Sequence, residues 1–241
     1  MLPTIPLSLA VAFGLTTLLA VALLYYAAQR SGRTLLVLAG WLLVQSALAL
    51  SGFYTVTTGL PPRLAFALGP PVLLLLASLA TARGRAYLAD LRLEVLTLLH
   101  VVRLPVELVL YRLYVHGAVP RLMTFEGRNW DILMGLSAPL VYYLVRRQRI
   151  GRRALLGWNI LGLGLLLNIV VTAVLSVPSP VQRFAFEQPN VGLLYFPFNW
   201  LPAVVVPLVL LAHVAALQHL LVAPYPPRPA AAAGRELSAW Q

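Results

Sequence analysis

The sequence predicts an all-α integral membrane protein of seven transmembrane helices, with its N-terminus outside and its C-terminus inside, and three observations carry that expectation. Of 241 residues, 60% are hydrophobic and only 10% are charged, against about 45–50% and about 25% in soluble domains. The apolar residues gather into seven stretches, each near the ~20 residues an α-helix needs to cross hydrocarbon. Apart from Arg92, Arg103 and Arg112 in or beside the fourth, the arginines lie at the ends of those stretches or between them, and unevenly.

In chain order the spans are expected near 6–28, 35–58, 63–82, 91–115, 130–146, 154–176 and 196–222. The first opens without a basic segment and lacks a small-residue cleavage site, so it reads as a span and not as a cleaved leader. With the N-terminus outside, the cytoplasmic segments hold Arg30, Arg33, Arg83, Arg85, Arg146, Arg147, Arg149, Arg152, Arg153, Arg228 and Arg235. The external loops hold only Arg63, Arg121, Arg128 and Arg183. The excess of positive charge on one side selects N-out/C-in and points to a bacterial inner membrane, with the lipid bilayer as the surrounding partner. Pro70, Pro71, Pro105, Pro139, Pro202 and Pro207 fall inside spans. Each removes a backbone donor, so kinked helices are expected.

The loop between the sixth and seventh spans mixes Pro178, Pro180, Pro189 and Pro197 with Phe184, Phe186, Tyr195, Phe196, Phe198 and Trp200. So many aromatic residues predict a structured external loop at the membrane interface, in the manner of a lid. Residues 1–222 thus form one seven-helix domain. Residues 223–241, APYPPRPAAAAGRELSAWQ, read as a flexible Pro/Ala-rich cytoplasmic tail.

Composition also removes function classes. The net charge of +11 sits between hydrophobic spans, where it sets topology, so nucleic acid is not an expected partner. All eighteen basic residues are arginine; without lysine no Schiff base forms, which excludes a retinal protein of the rhodopsin type. Without cysteine there are no disulfides, thiolate ligands or thiol nucleophiles. No nucleophile elbow, phosphate-binding loop, helical zinc motif or dinucleotide fingerprint occurs in the chain.

The candidate chemistry lies in the fourth span. His100, Arg103 and Glu107 stand at i, i+3 and i+7 among leucines and valines, and with Tyr111 and Tyr114 they occupy a stripe about 80° wide on a helix. Ionisable groups at that depth are costly and mark a functional face. Arg103 and Glu107 can pair along the helix; alternatively Arg103 holds an anion while Glu107 and His100 relay protons. His213, in the seventh span, lies at the depth of His100, roughly 13 Å from the cytoplasmic end, which places the two side chains within about 12 Å of each other if a bis-imidazole haem sets the bound. His100, Glu107 and His213 are therefore also the candidate ligands of a haem or divalent metal, a cofactor that the spacing does not favour. Asn168 on the sixth span and Asn199 on the seventh are expected to complete the polar pocket, although hydrogen bonding between helices accounts for either.

Outside the membrane, Glu126, Arg128, Asn129 and Asp131 gather before the fifth span, and Glu187 lies in the aromatic loop. These five are the expected lining of an external cavity, with Asp131 also placed to favour the start of the fifth helix. The leading expectation is an intramembrane polar pocket that binds or conducts a small solute, coupled to protons. The rival is a membrane-embedded metal- or haem-dependent enzyme or redox protein using His100, Glu107 and His213. A third reading is a sensor or assembly subunit.

Overall fold

A computed structural model describes residues 5–222. The tail assigned to 223–241 lies outside the described residues. Among the described residues every regular element is helical.

The elements follow the apolar stretches. Helix α1 (Leu7–Ala27) starts directly after Pro6, and α2 (Gly32–Leu50) starts at Ser31, whose hydroxyl accepts from the Thr34 amide. Ser31 thereby satisfies one of the orphan donors of the first turn. Helix α3 (Ala65–Ala80) breaks at Thr81, which caps α4 (Ala82–Asp90) by accepting from the Gly84 amide at 3.1 Å. The two axes differ by 101°. Only glycine fits at position 84, because a Cβ there would stand 2.3 Å from the Ser78 backbone.

Next come α5 (Leu93–Leu99), a 3₁₀ turn (His100–Val102) and α6 (Arg103–Val115), then α7 (Ile132–Arg146) and α8 (Arg152–Leu175). A π-helical turn (Leu201–Val205) leads into α9 (Val206–Val222). Both irregular turns sit next to prolines. Pro105 offers no N–H to the Val101 carbonyl four residues earlier, and the chain tightens to 3₁₀ there. Pro207 likewise cannot serve Ala203, where the helix widens to π; the Trp41 indole of α2 donates to the Ala203 carbonyl at 2.8 Å instead.

Among the described residues four helical segments are long and apolar enough to cross a membrane: α1, α2, α8 and Leu201–Val222. The bent pair α3–α4 makes a fifth if it counts as one span. Helix α7, with 15 residues, reaches about 22 Å, short of the ~30 Å hydrocarbon core. The α5–α6 unit lies at the centre. Helix α5 packs against α7, α1 and α9, while α6 packs against α7 and α1 and α8 lies along α9. Helix α2 is peripheral: of its residues only Gln45 and Ala49 are buried, and Leu36 and Leu43 are more than two-thirds exposed. A soluble protein would not leave so much leucine in water, whereas lipid accepts it.

Candidate functional site

The 3₁₀ turn made by Pro105 ends at Arg103, so His100, Arg103 and Glu107 leave the chain around one irregular joint at the centre of the bundle. All three are buried, each at most 3% exposed. Arg103 is the junction. Its Nε donates to Asp131 Oδ2 at 3.0 Å and its Nη2 to Asp131 Oδ1 at 2.5 Å. That is the bidentate geometry in which a planar guanidinium binds a carboxylate best. Nη2 also donates to the Gly162 carbonyl at 3.1 Å, and Nη1 donates to His213 Nε2 at 3.1 Å.

The last bond fixes a tautomer. Arginine has only donors, so His213 Nε2 accepts and the ring proton sits on Nδ1, which donates to Asn159 Oδ1 at 3.0 Å. Asn159 in turn donates to the Leu155 carbonyl one turn back. Gly162 makes this approach feasible: a Cβ on it would lie 2.6 Å from His213 Cε1 and 2.4 Å from Met134 Cε. Gly135 does the same for α7 against α6, where a Cβ would meet the Leu104 nitrogen at 2.6 Å.

Glu107 lies one turn beyond Arg103 but finds a different partner. Its Oε1 accepts from Asn129 Nδ2, which also donates to the Met123 carbonyl at 3.1 Å. The Asn129 Oδ1 accepts from the Asp131 amide at 3.2 Å. One chain of contacts therefore runs from Asn159 through His213, Arg103, Asp131 and Asn129 to Glu107. His100 joins by stacking: its ring centroid is 4.0 Å from that of His213, at 29° between planes, with Trp158 edge-on at 5.2 Å. Two buried atoms of this assembly have no hydrogen-bond partner, His100 Nδ1 and Glu107 Oε2.

The structure thus brings together His100, Arg103, Glu107 and His213 as the sequence placed them, the two imidazoles well inside 12 Å. It redistributes the rest. The carboxylate that binds Arg103 is Asp131, not Glu107. Asn129 and Asp131, expected in an external cavity, turn inward instead, and the Asp131 side chain makes no capping bond to α7. Of the other expected lining residues, Glu126 is on the surface 3.8 Å from Arg121, and Arg128 and Glu187 are exposed. Tyr111 stacks on Phe125 at the far end of α6. Asn168 is exposed and ties α8 to the Arg128 carbonyl at 2.9 Å. Asn199 belongs to a second, neutral cluster: it donates to the Gln45 carbonyl at 3.0 Å, and Gln45 Oε1 accepts from Tyr54 at 2.5 Å.

The aromatic loop is ordered by polar side chains of its own. Gln188 donates to the Tyr114 and Val119 carbonyls, and the Gly192 amide donates to Ala118. It therefore lies across the loop that carries Asn129. The residues that sequence reasoning missed are Asn159, Gly162 and Trp158. Asn159 had a signal, a lone amide inside an apolar helix; Gly162 had none, since its role is to lack a side chain.

The residues present do not fit a haem or metal. Imidazole lone pairs lie in the ring plane, so rings stacked face to face cannot aim them at a shared ion, and both nitrogens of His213 are occupied. Among the described residues no three His, Asp or Glu side chains converge as a metal site.

Residues 61–221 match the family described as "Domain of unknown function (DUF8737)", and the chain belongs to that family. No curated protein and no solved structure matches it.

Proposed function

We propose that this protein crosses a bacterial inner membrane seven times, N-out/C-in, and binds or conducts a small solute in exchange with protons through the Arg103 network. The spans of that reading are α1, α2, α3, the α5–α6 unit, α7, α8 and the π-turn with α9. Helix α4, carrying Arg83 and Arg85, then lies along the cytoplasmic surface.

One observation carries the proton coupling. A single guanidinium is buried with two carboxylates, Asp131 and Glu107, and both imidazoles lie in the same cluster. His213 is held neutral by the donors and acceptors around it, so one carboxylate lacks a counter-charge. An unbalanced charge at that depth costs several kcal/mol, and a proton or a cation removes the cost. The unpartnered Glu107 Oε2 and His100 Nδ1 are where a proton can arrive or leave without breaking the bidentate pair. Arg103 and Asp131 hold the frame, Glu107 carries the exchangeable proton, and the aromatic loop with the Asn129 loop covers the outer side.

The test uses proteoliposomes with an entrapped pH dye and an imposed potassium diffusion potential. Proton movement should exceed that of empty vesicles and be lost in Glu107→Gln, which keeps an acceptor for Asn129 but cannot titrate. Equal rates in wild type and Glu107→Gln would remove the reading. Orientation is tested separately: reporters fused after Arg153 and after Val222 should read cytoplasmic, and one after Glu187 external.

A further inference from the structure

A second site lies away from the charged network and has the opposite chemistry. Between the first half of α3 and the last turns of α8 is a partly open cavity of about 350 Å³, at the lower end of the range for ligand pockets. Leu68, Gly69 and Val72 of α3 face Ile169, Ala173 and Val174 of α8 across it, and the π-helical turn supplies Leu201 and Pro202. All the lining residues are apolar. Two helices have matching apolar stripes at helical spacing, yet a gap separates them where side chains would normally interlock.

Water does not settle stably in such a space, since a buried water needs two to four polar partners. An empty gap forfeits dispersion contacts along both helices. Hydrocarbon satisfies both conditions. The charge carried next to the lining segments says which hydrocarbon. Arg63 directly follows Pro62, a lining residue, and Arg183 comes two residues after Val181, another. Arg63 donates to the Phe53 carbonyl and lies over the Phe53 ring; Arg183 donates to the neighbouring Gln182 carbonyl. Neither forms an ion pair among the described residues. Two cations without carboxylates, each one or two residues along the chain from a lining residue, match a ligand with one anionic end.

We infer that this cavity holds one acyl chain of an anionic phospholipid, with its headgroup at Arg63 and Arg183. The site does not depend on proton exchange at Glu107. It does share scaffolding with the network: Leu110 lines it one turn beyond Glu107, and Met123, whose carbonyl accepts from Asn129, lines it too.

Gly69 supplies the decisive variant, because a Cβ there would meet nothing within 4 Å. Gly69→Phe can fill the slot without disturbing the fold, and Ala173→Phe fills it from α8 should the first fail to express. Native mass spectrometry of protein extracted in mild detergent should show one retained phospholipid on wild type and none on the plugged variants. Delipidated protein should bind phosphatidylglycerol more tightly than phosphatidylcholine. Arg63→Gln and Arg183→Gln should each weaken phosphatidylglycerol binding about fivefold, the equivalent of one interfacial cation, and leave phosphatidylcholine unchanged. A wild type without retained lipid, retention that survives both plugs, or equal affinity for the two headgroups would overturn the inference.

Discussion

Among the described residues, the buried cluster around Gln45 and the buried cluster around Arg103 are incomplete in different ways. In the neutral one, Gln45, Tyr54 and Asn199 join α2 to the start of the π-turn, leaving Gln45 Nε2 and Asn199 Oδ1 unpartnered. One leftover is a donor and the other an acceptor, so a small rotation or a single water can satisfy both. The Arg103 cluster leaves Glu107 Oε2 and His100 Nδ1, and each of these is a donor or an acceptor depending on whether it holds a proton. Geometry completes the first cluster, whereas on the proposed reading a proton or a cation completes the second. On the proposed reading, the contrast separates polar groups that join helices from polar groups that respond to their surroundings.

The contrast is tested hardest by removing a charge. Asp131→Ala strands Arg103 in the bundle and should cost about 3–5 kcal/mol in unfolding measurements. Replacing both partners with leucine should recover most of that loss, because neither charge of the pair is then left without the other. The coupling energy between Arg103 and Asp131 should exceed that between Arg103 and Glu107. The reverse order would mean that the helix neighbour, not the bidentate partner, holds the arginine.

A steric test comes next. Gly162→Ala adds one methyl group where His213 and Met134 already touch the α8 backbone, and overpacking of this kind costs about 1–3 kcal/mol. The His213–Arg103 bond should lengthen with it, so the variant should lose proton exchange as well as stability. Gly164→Ala, two residues along the same helix with nothing within 4 Å of a Cβ, should do neither. If both substitutions behave alike, Gly162 is not the contact that seats the imidazole.

How much of this was legible in the sequence follows from the kind of signal each feature leaves. Four of the seven apolar stretches became single helices close to their expected bounds, at α1, α3, α7 and α8, because hydrophobic length is a property of local sequence. The break at His100–Val102 was foreshadowed by Pro105, and the depth argument brought His100 to His213 because helical rise converts residue number into distance. The sharp turn from α3 into α4 was not anticipated, since it rests on Gly84 tolerating the Ser78 backbone. The choice of Asp131 over Glu107 as the partner of Arg103 was hidden for a similar reason. Two carboxylates compete for one arginine, and the loop that carries Asp131 folds inward through the Asn129 and Met123 bonds, a tertiary event without periodicity.

The neutral cluster should respond mildly. Tyr54→Phe leaves Gln45 Oε1 buried without its donor and should cost about 1 kcal/mol, with proton exchange in vesicles unchanged. A loss of exchange in Tyr54→Phe would join the two clusters functionally and dissolve the distinction between them.

The smallest effect is expected at the π-turn, where α2 repairs a break made by proline. Pro207 has no N–H to offer the Ala203 carbonyl and its ring presses on that carbonyl, so the Trp41 indole supplies the hydrogen bond at 2.8 Å. Hydrogen bonds between membrane helices contribute only about 0.6 kcal/mol on average, and Trp41→Phe should cost about that much. In a Pro207→Ala background, residue 207 regains an N–H and the turn can close to a regular α-helix. Trp41→Phe should then cost less than in the wild-type background, a difference that a double-mutant cycle reads directly. An undiminished cost would assign Trp41 to packing against α9 and leave the Ala203 carbonyl to some other donor.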